Sequence, residues 1–167
     1  SYRSGGGAIY SNGSNYNLSN TGNYLIIDRC VFRENVSRGE SGALGGAIDL
    51  MSSARITNSL FDGNKVSITN DGGFIAGGAI YAGALGRFNG FNEVGDVIEI
   101  INNTIINNEA TNNNGFVSSA GIFLDQGSET SSFWVFNNII FYNNSQRTVG
   151  SYMDRFQDNF QSISRYQ

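Results

Sequence analysis

The chain has 167 residues, enough for one domain, with 22 Gly, 23 Asn, no Pro, no His and a formal net charge of −4. That acidity and a single lysine, Lys65, leave no electrostatic basis for binding nucleic acid or an anionic membrane surface. No apolar run approaches the roughly 20 residues of a membrane helix, one cysteine excludes an intramolecular disulfide, and the missing histidine thins the usual acid–base inventory.

The first element in chain order is GGAI at residues 6–9. It recurs at 45–48 and 77–80 and relaxes to Ser119-Ala120-Gly121-Ile122. The isoleucines Ile9, Ile48, Ile80 and Ile122 are separated by 39, 32 and 42 residues. Equal motifs at unequal intervals indicate a constant rung with loops of variable length, as in a solenoid. A phosphate-cradling loop is not indicated, because neither GxGxxG nor a Gly-Lys-Ser/Thr ending occurs.

A second repeat follows each GGAI: IIDRCVFREN at 26–35, RITNSLFDGN at 55–64, EIINNTIINN at 99–108 and VFNNIIFYNN at 135–144. Aligned on their last apolar anchor, the rows give Phe32, Phe61, Ile105 and Ile140, each followed three residues later by Asn35, Asn64, Asn108 or Asn143. Five residues before the anchor stand Ile27, Ile56, Ile100 and Val135, and seven before it Leu25, Ala54, Ile98 and Phe133. Period-two spacing of this kind predicts strands. Arg29, Asn58, Asn102 and Asn137, three before the anchor, predict a left-handed corner within them. In a stack of parallel strands each residue lies on its equivalent about 4.8 Å away, so these columns become interior and the corner asparagines form hydrogen-bonded ladders.

The predicted fold is therefore all-β, a right-handed parallel β-helix of about four coils over 1–150, with loop insertions at 11–23, 82–96 and 109–119. Cys30, two before the anchor, is read as a small buried apolar residue. The tail, 151–167, carries Met153, Phe156, Phe160 and Ile163 at intervals of three, four and three. It is read as an amphipathic helix capping the solenoid, the alternative being the start of a further coil. Opening almost directly on a rung, the sequence reads as a piece of something longer, its first rung covered by preceding coils or by another copy stacked end to end.

GGAI paired with FxxN, here FREN and FDGN, resembles the hallmark tetrapeptides of the chlamydial polymorphic outer membrane proteins. The similarity runs over about residues 6–144, although two of the four rows have Ile in place of the Phe and no autotransporter barrel or anchor domain is recognisable. The resemblance implies secretion, display at a bacterial outer surface and adhesion.

Residues offering catalysis are few. Asp28, Asp49 and Asp62 are the outward acids, but each falls in a different column, without the paired carboxylates that glycoside hydrolysis needs. Five Asn-x-Ser/Thr triplets begin at Asn12, Asn17, Asn35, Asn102 and Asn143, about as many as so Asn-rich a chain produces by chance. The residue after each GGAI isoleucine forms the column Tyr10, Asp49, Tyr81 and Phe123, which predicts either an outward stripe that stacks sugar rings or meets a protein, or rings covered by loops as a second small core. No catalytic residue, metal or cofactor is assigned. The expected function is a non-catalytic surface, adhesive or filament-forming repeat, whose partners are a protein, a glycan or a second copy; a carbohydrate-active β-helix or glycan-binding module is the alternative.

Overall fold

The computed structural model describes residues 3–12, 24–70, 73–84, 87–89, 92–112, 116–126, 129–147 and 160–164. Among these the chain is all-β, in strands of three to five residues gathered into five parallel sheets and one small antiparallel pair. The first sheet holds Arg3–Gly5, Gly42–Leu44, Phe74–Ala76 and Phe116–Ser118. The second holds Ile9–Asn12, Ile48–Met51, Ile80–Ala84, Ile122–Gln126 and Phe160–Ser164. Leu25–Asp28, Ala54–Thr57, Val97–Ile101 and Ser132–Phe136 make the third, and Val31–Arg33, Leu60–Asp62, Thr104–Ile106 and Ile139–Phe141 the fourth. The fifth consists of Val36–Gly39, Lys65–Ile68, Glu109–Asn112 and Asn144–Arg147. The chain visits the sheets in this fixed order and stacks each strand in register on its predecessor, an arrangement compatible with a parallel β-helix.

The expected columns pair as aligned: Ile9, Ile48, Ile80 and Ile122; Phe32, Phe61, Ile105 and Ile140; Ile27, Ile56, Ile100 and Val135. They share one core, in which Ile48, Ile80, Ile56, Phe61 and Ile105 are fully buried, while Ile9 and Leu25 at one end and Phe133, Val135 and Ile140 at the other are partly so. Phe32 and Phe61 stack with ring centroids 4.8 Å apart and planes 7° from parallel. Strand spacing alone imposes that distance on two like rings in one column. A second, smaller core of Ala43, Val66, Ile68, Ile75, Ala110 and Ala120 lies elsewhere in the stack.

Left-handed residues make the corners. Arg29, Asn58, Asn102 and Asn137 have φ of 55°, 51°, 58° and 55° between the third and fourth sheets, as predicted. A second set not foreseen, Glu34, Gly63, Asn107 and Tyr142, has φ of 55°, 65°, 57° and 54° between the fourth and fifth. The two glycines of GGAI serve different ends. Gly45 has φ of +53°, a conformation that disfavours side chains. Gly46 lies so close to the next strand that a Cβ would sit 1.9 Å from the Gly78 carbonyl oxygen.

The ladder runs not through the expected corner asparagines, of which Asn58 donates from Nδ2 to Asp28 Oδ1, but through those three residues after the anchor. Asn35 Nδ2 donates to Asn64 Oδ1 (2.8 Å), Asn64 Nδ2 to Asn108 Oδ1 (2.9 Å) and Asn108 Nδ2 to Asn143 Oδ1 (2.7 Å). The backbone amides of Asn35, Asn64 and Asn108 donate to the same oxygens, so one column satisfies both side chains and turning backbone.

Several expectations need correction. Cys30 is exposed, because it stands in the first row of a polar corner column rather than in the apolar core. Its Sγ donates to the Asp28 carbonyl (3.3 Å), just as Ser59 Oγ, Asn103 Nδ2 and Asn138 Nδ2 donate to the carbonyls of Thr57, Ile101 and Phe136. The predicted loop 109–119 contains the strands Glu109–Asn112 and Phe116–Ser118, and 82–96 contains the antiparallel pair Arg87–Asn89 and Asn92–Val94. Most of loop 11–23 lies outside the described residues. Phe160 and Ile163, expected on a helix, belong to a strand paired in parallel with Ile122–Gln126; Met153 and Phe156 lie outside the described residues. A further row in the second sheet, the alternative reading of the tail, is what forms there.

Candidate functional site

The column after the GGAI isoleucines is continuous in register, Tyr10 on Asp49 on Tyr81 on Phe123. It is not an exposed stripe. Tyr10 is 53 % exposed, but Asp49, Tyr81 and Phe123 are buried, Tyr81 and Phe123 in a cluster with Leu44 and Ala76 against which Met51 and Phe74 pack. Tyr81 and Phe123 stack at 5.6 Å, and Phe74 meets Phe123 edge-on at 5.9 Å. The Tyr81 hydroxyl donates to Asp125 Oδ2 at 2.7 Å, which gives a buried phenol its required partner. These rings form a third small buried cluster, and only Tyr10 of the four is exposed enough to meet another molecule.

The three outward acids do not converge. Asp28 Oδ1 accepts from Thr57 Oγ1 and Asn58 Nδ2, both at 2.7 Å, and Arg29 lies 3.3 Å from its other oxygen. Hydrogen bonds from Asn58 and Thr57, helped by the Arg29 charge, hold its carboxyl below the usual carboxylate range. Asp62 accepts from Arg33 Nε (3.2 Å) and Asn107 Nδ2 (3.0 Å). Asp49 is buried rather than outward. Among the described residues no group of three or more His, Cys, Asp or Glu is arranged to hold a metal ion, and no helix is long and apolar enough to cross a membrane.

Charged side chains on the outer face tie neighbouring rows together. On the third sheet Arg55 grips Glu99 with Nε and Nη2 (2.7 and 3.0 Å), while the Tyr24 hydroxyl donates to Glu99 Oε2 (2.8 Å). The Arg55 hydrogen bonds, then that from Tyr24, keep the Glu99 carboxyl below its ordinary pKa. Glu99 in turn raises the pKa of Arg55, and burial followed by the Glu99 hydrogen bond raises that of Tyr24.

The last strands of the third and fourth sheets are different. Trp134, Phe136, Ile139, Phe141 and Tyr142 are exposed, forming one apolar row across both outer faces. Trp134 sits in register beside Glu99, Phe136 beside Ile101, Ile139 beside Thr104 and Phe141 beside Ile106, so at Trp134 the row takes over the column of the Arg55–Glu99 pair. Phe141 and Tyr142 rings lie 3.8 Å apart, tilted by 41°. Alternation along SFWVF puts Phe133 and Val135 inside, leaving Trp134 and Phe136 outside. A strand apolar at both parities is the sequence signal of burial on both faces, and that signal was present at 132–141 without being recognised. Compared with known proteins, the chain matches no family model, no curated protein and no solved structure.

Proposed function

We propose that the chain is a right-handed parallel β-helix of about four coils that acts without catalysis as a displayed surface module, binding through the outer apolar row of its last complete turn. The observation that carries this reading is the row itself. Trp134, Phe136, Ile139, Phe141 and Tyr142 expose five large apolar or aromatic side chains together, where the preceding strands carry the Arg55–Glu99 pair at the Trp134 column and a mixture of Ile101, Thr104 and Ile106 at the strand columns that follow. Aromatic side chains bring large contact area at low conformational cost and dominate recognition surfaces. Their placement on short strands joined by ladders fixes them before a partner arrives, which reduces the ordering cost of binding.

The setting follows from the resemblance of GGAI and FxxN repeats to polymorphic outer membrane proteins: secretion, presentation at a bacterial outer surface, and contact with a neighbouring protein, a glycan or a second copy stacked end to end. The test is binding of labelled protein to immobilised glycans and to cell surfaces, with the Trp134→Ala/Phe141→Ala double variant beside it. Saturable binding lost in the double variant supports the proposal. New reducing or unsaturated ends released from a polysaccharide would replace it with the carbohydrate-active alternative.

A further inference from the structure

The outer face of the fifth sheet carries a grid of six side chains. Register places Val36, Lys65 and Glu109 in one row and Arg38, Ser67 and Thr111 in the next, two residues further along each strand. Neighbours within a row are therefore about 4.8 Å apart and the two rows about 6.7 Å apart. Over this grid lies a concavity of about 330 Å³ lined by Val36, Arg38, Lys65, Ser67, Ile68 and Thr111. Small-molecule sites begin at roughly 300 Å³.

The charges here are unevenly satisfied. Lys65 Nζ lies 3.1 Å from Glu109 Oε2, and Thr111 Oγ1 also donates to Glu109. Arg29, Arg33 and Arg55 each hold a carboxylate in the same way. Arg38, in the wall of the concavity, holds none among the described residues, in a chain whose formal charge is −4. Beside it across the strand pair stands the Ser67 hydroxyl, followed by Thr111. Arg38 and Lys65 against Glu109 leave one positive charge over the grid. A monoanion matches that charge, whereas a dianion such as phosphate meets the Glu109 carboxylate as well.

We propose that this concavity binds a single carboxylate carried on a hydroxylated ring, a uronic acid unit. The Arg38 guanidinium forks onto the carboxylate, the geometry for which arginine is suited over lysine. The Ser67 hydroxyl exchanges hydrogen bonds with ring hydroxyls, that of Thr111 accepts from another, and Val36 meets the apolar C–H face of the ring. The site lies on a different sheet from the aromatic row, so either proposal can fail alone.

The experiment uses the full 167-residue chain, isotope-labelled for amide NMR, titrated with glucuronate, glucose and inorganic phosphate. Saturable shifts at Arg38, Ser67 and Thr111 with glucuronate are expected, with affinity for glucose weaker by about tenfold or more, as the loss of one charge-assisted pair requires. Arg38→Gln should weaken glucuronate by a similar factor while leaving its spectrum folded, and Arg38→Lys should fall between. The proposal is overturned if glucose binds as well as glucuronate, if phosphate binds more tightly, if Arg38→Gln changes nothing, or if no residue on this sheet shifts.

Discussion

On the outer face of the third sheet, Arg55 and Glu99 occupy in the middle strands the column that Trp134 occupies in the last. The inner columns of the same strands barely change, Ile56, Ile100 and Val135 being equivalent. The contrast follows from stacking. An inward side chain rests on its equivalents at about 4.8 Å and must suit both neighbours, while an outward one answers only to solvent or a partner. Among the described residues the exposed large apolar side chains, Val97 excepted, belong to the first or last turn; the ion pairs Arg55–Glu99 and Lys65–Glu109 join the rows between them, and Arg33–Asp62 ties the first row to the second. The constraint of the fold is therefore written in the inner columns, while the outer ones are free to vary from row to row.

The sharpest way to break this comparison is to place one charge on each side. Phe61 is fully buried, stacked on Phe32 and in register with Ile105. Phe61→Asp puts an unpaired carboxylate in the core at a cost of several kcal/mol or more, a large part of the total stability of an ordinary domain. It should abolish folding, seen as loss of the β-sheet circular dichroism signal and of soluble protein. Trp134→Asp, outward on the last strand of the third sheet, should fold. A soluble, folded Phe61→Asp protein would show that the register is wrong.

The ladder gives the next largest effect. Asn108 is fully buried; its Nδ2 donates to Asn143 Oδ1 and the Phe61 carbonyl (2.7 and 3.2 Å), and its Oδ1 accepts from both Asn64 nitrogens at 2.9 Å. Asn108→Ala strands buried partners on both sides and should cost about 2–4 kcal/mol, given roughly 1–3 for each unsatisfied group. Asn35 ends the described ladder, half-buried, donating to Asn64 alone. Asn35→Ala should cost about 1 kcal/mol. Equal urea midpoints for the two variants would deny that position in the stack sets the cost.

The same logic explains what could be read from the sequence. The second, third and fourth sheets were legible because their inner columns repeat one residue class, as Ile9, Ile48, Ile80 and Ile122 do. The first and fifth were not, since Ser4, Ala43, Ile75 and Val117 make one inner column and Ser37, Val66, Ala110 and Ser145 the other. Small and hydroxyl residues fill that narrow part of the interior, Ser4 and Ser37 even sharing a hydrogen bond at 3.2 Å, so no alternation stands out. Glu34, Gly63, Asn107 and Tyr142 share a left-handed conformation without sharing a residue type, which hid the second corner. Column membership of Tyr10, Asp49, Tyr81 and Phe123 was visible, but burial was not, because Leu44 and Phe74 reach Tyr81 and Phe123 from the preceding sheet. In the tail, pairing with Ile122–Gln126 overrides the helical spacing of Phe160 and Ile163.

Acid should separate the interior from the last turn more gently. Glu99 has a folded-state pKa below its ordinary value, through Arg55 and then Tyr24. A depressed carboxylate contributes stability that is fully present above its unfolded pKa, about 4.3, and that is lost as pH falls through the folded value. The urea midpoint should thus fall on going below about pH 4.5, and Glu99→Gln should lose less over that interval. The effect is small, because the pair is only half-buried and screened by solvent. An identical pH dependence for wild type and Glu99→Gln would remove this pair from the account of the interior.

The smallest expected effect on stability is at the other pole of the comparison. Trp134 is the chain's single tryptophan, 56 % exposed on the outer face of Ser132–Phe136. Substitution of a surface side chain away from corners and ladders usually changes stability by no more than about 0.5 kcal/mol, so Trp134→Ala should leave the urea midpoint almost where it was. The residue reports on itself as well: its fluorescence should resemble that of tryptophan in water and be readily quenched by acrylamide. A partner covering the row should shift the emission to the blue and protect it from quencher, and it should do so without altering the core resonances of Ile56 or Ile100, which lie on the inner side of the sheet. Blue, unquenched emission from the isolated chain at high dilution would mean that the ring is already covered by the protein's own residues, and the row would then belong with Tyr81 and Phe123 as packing.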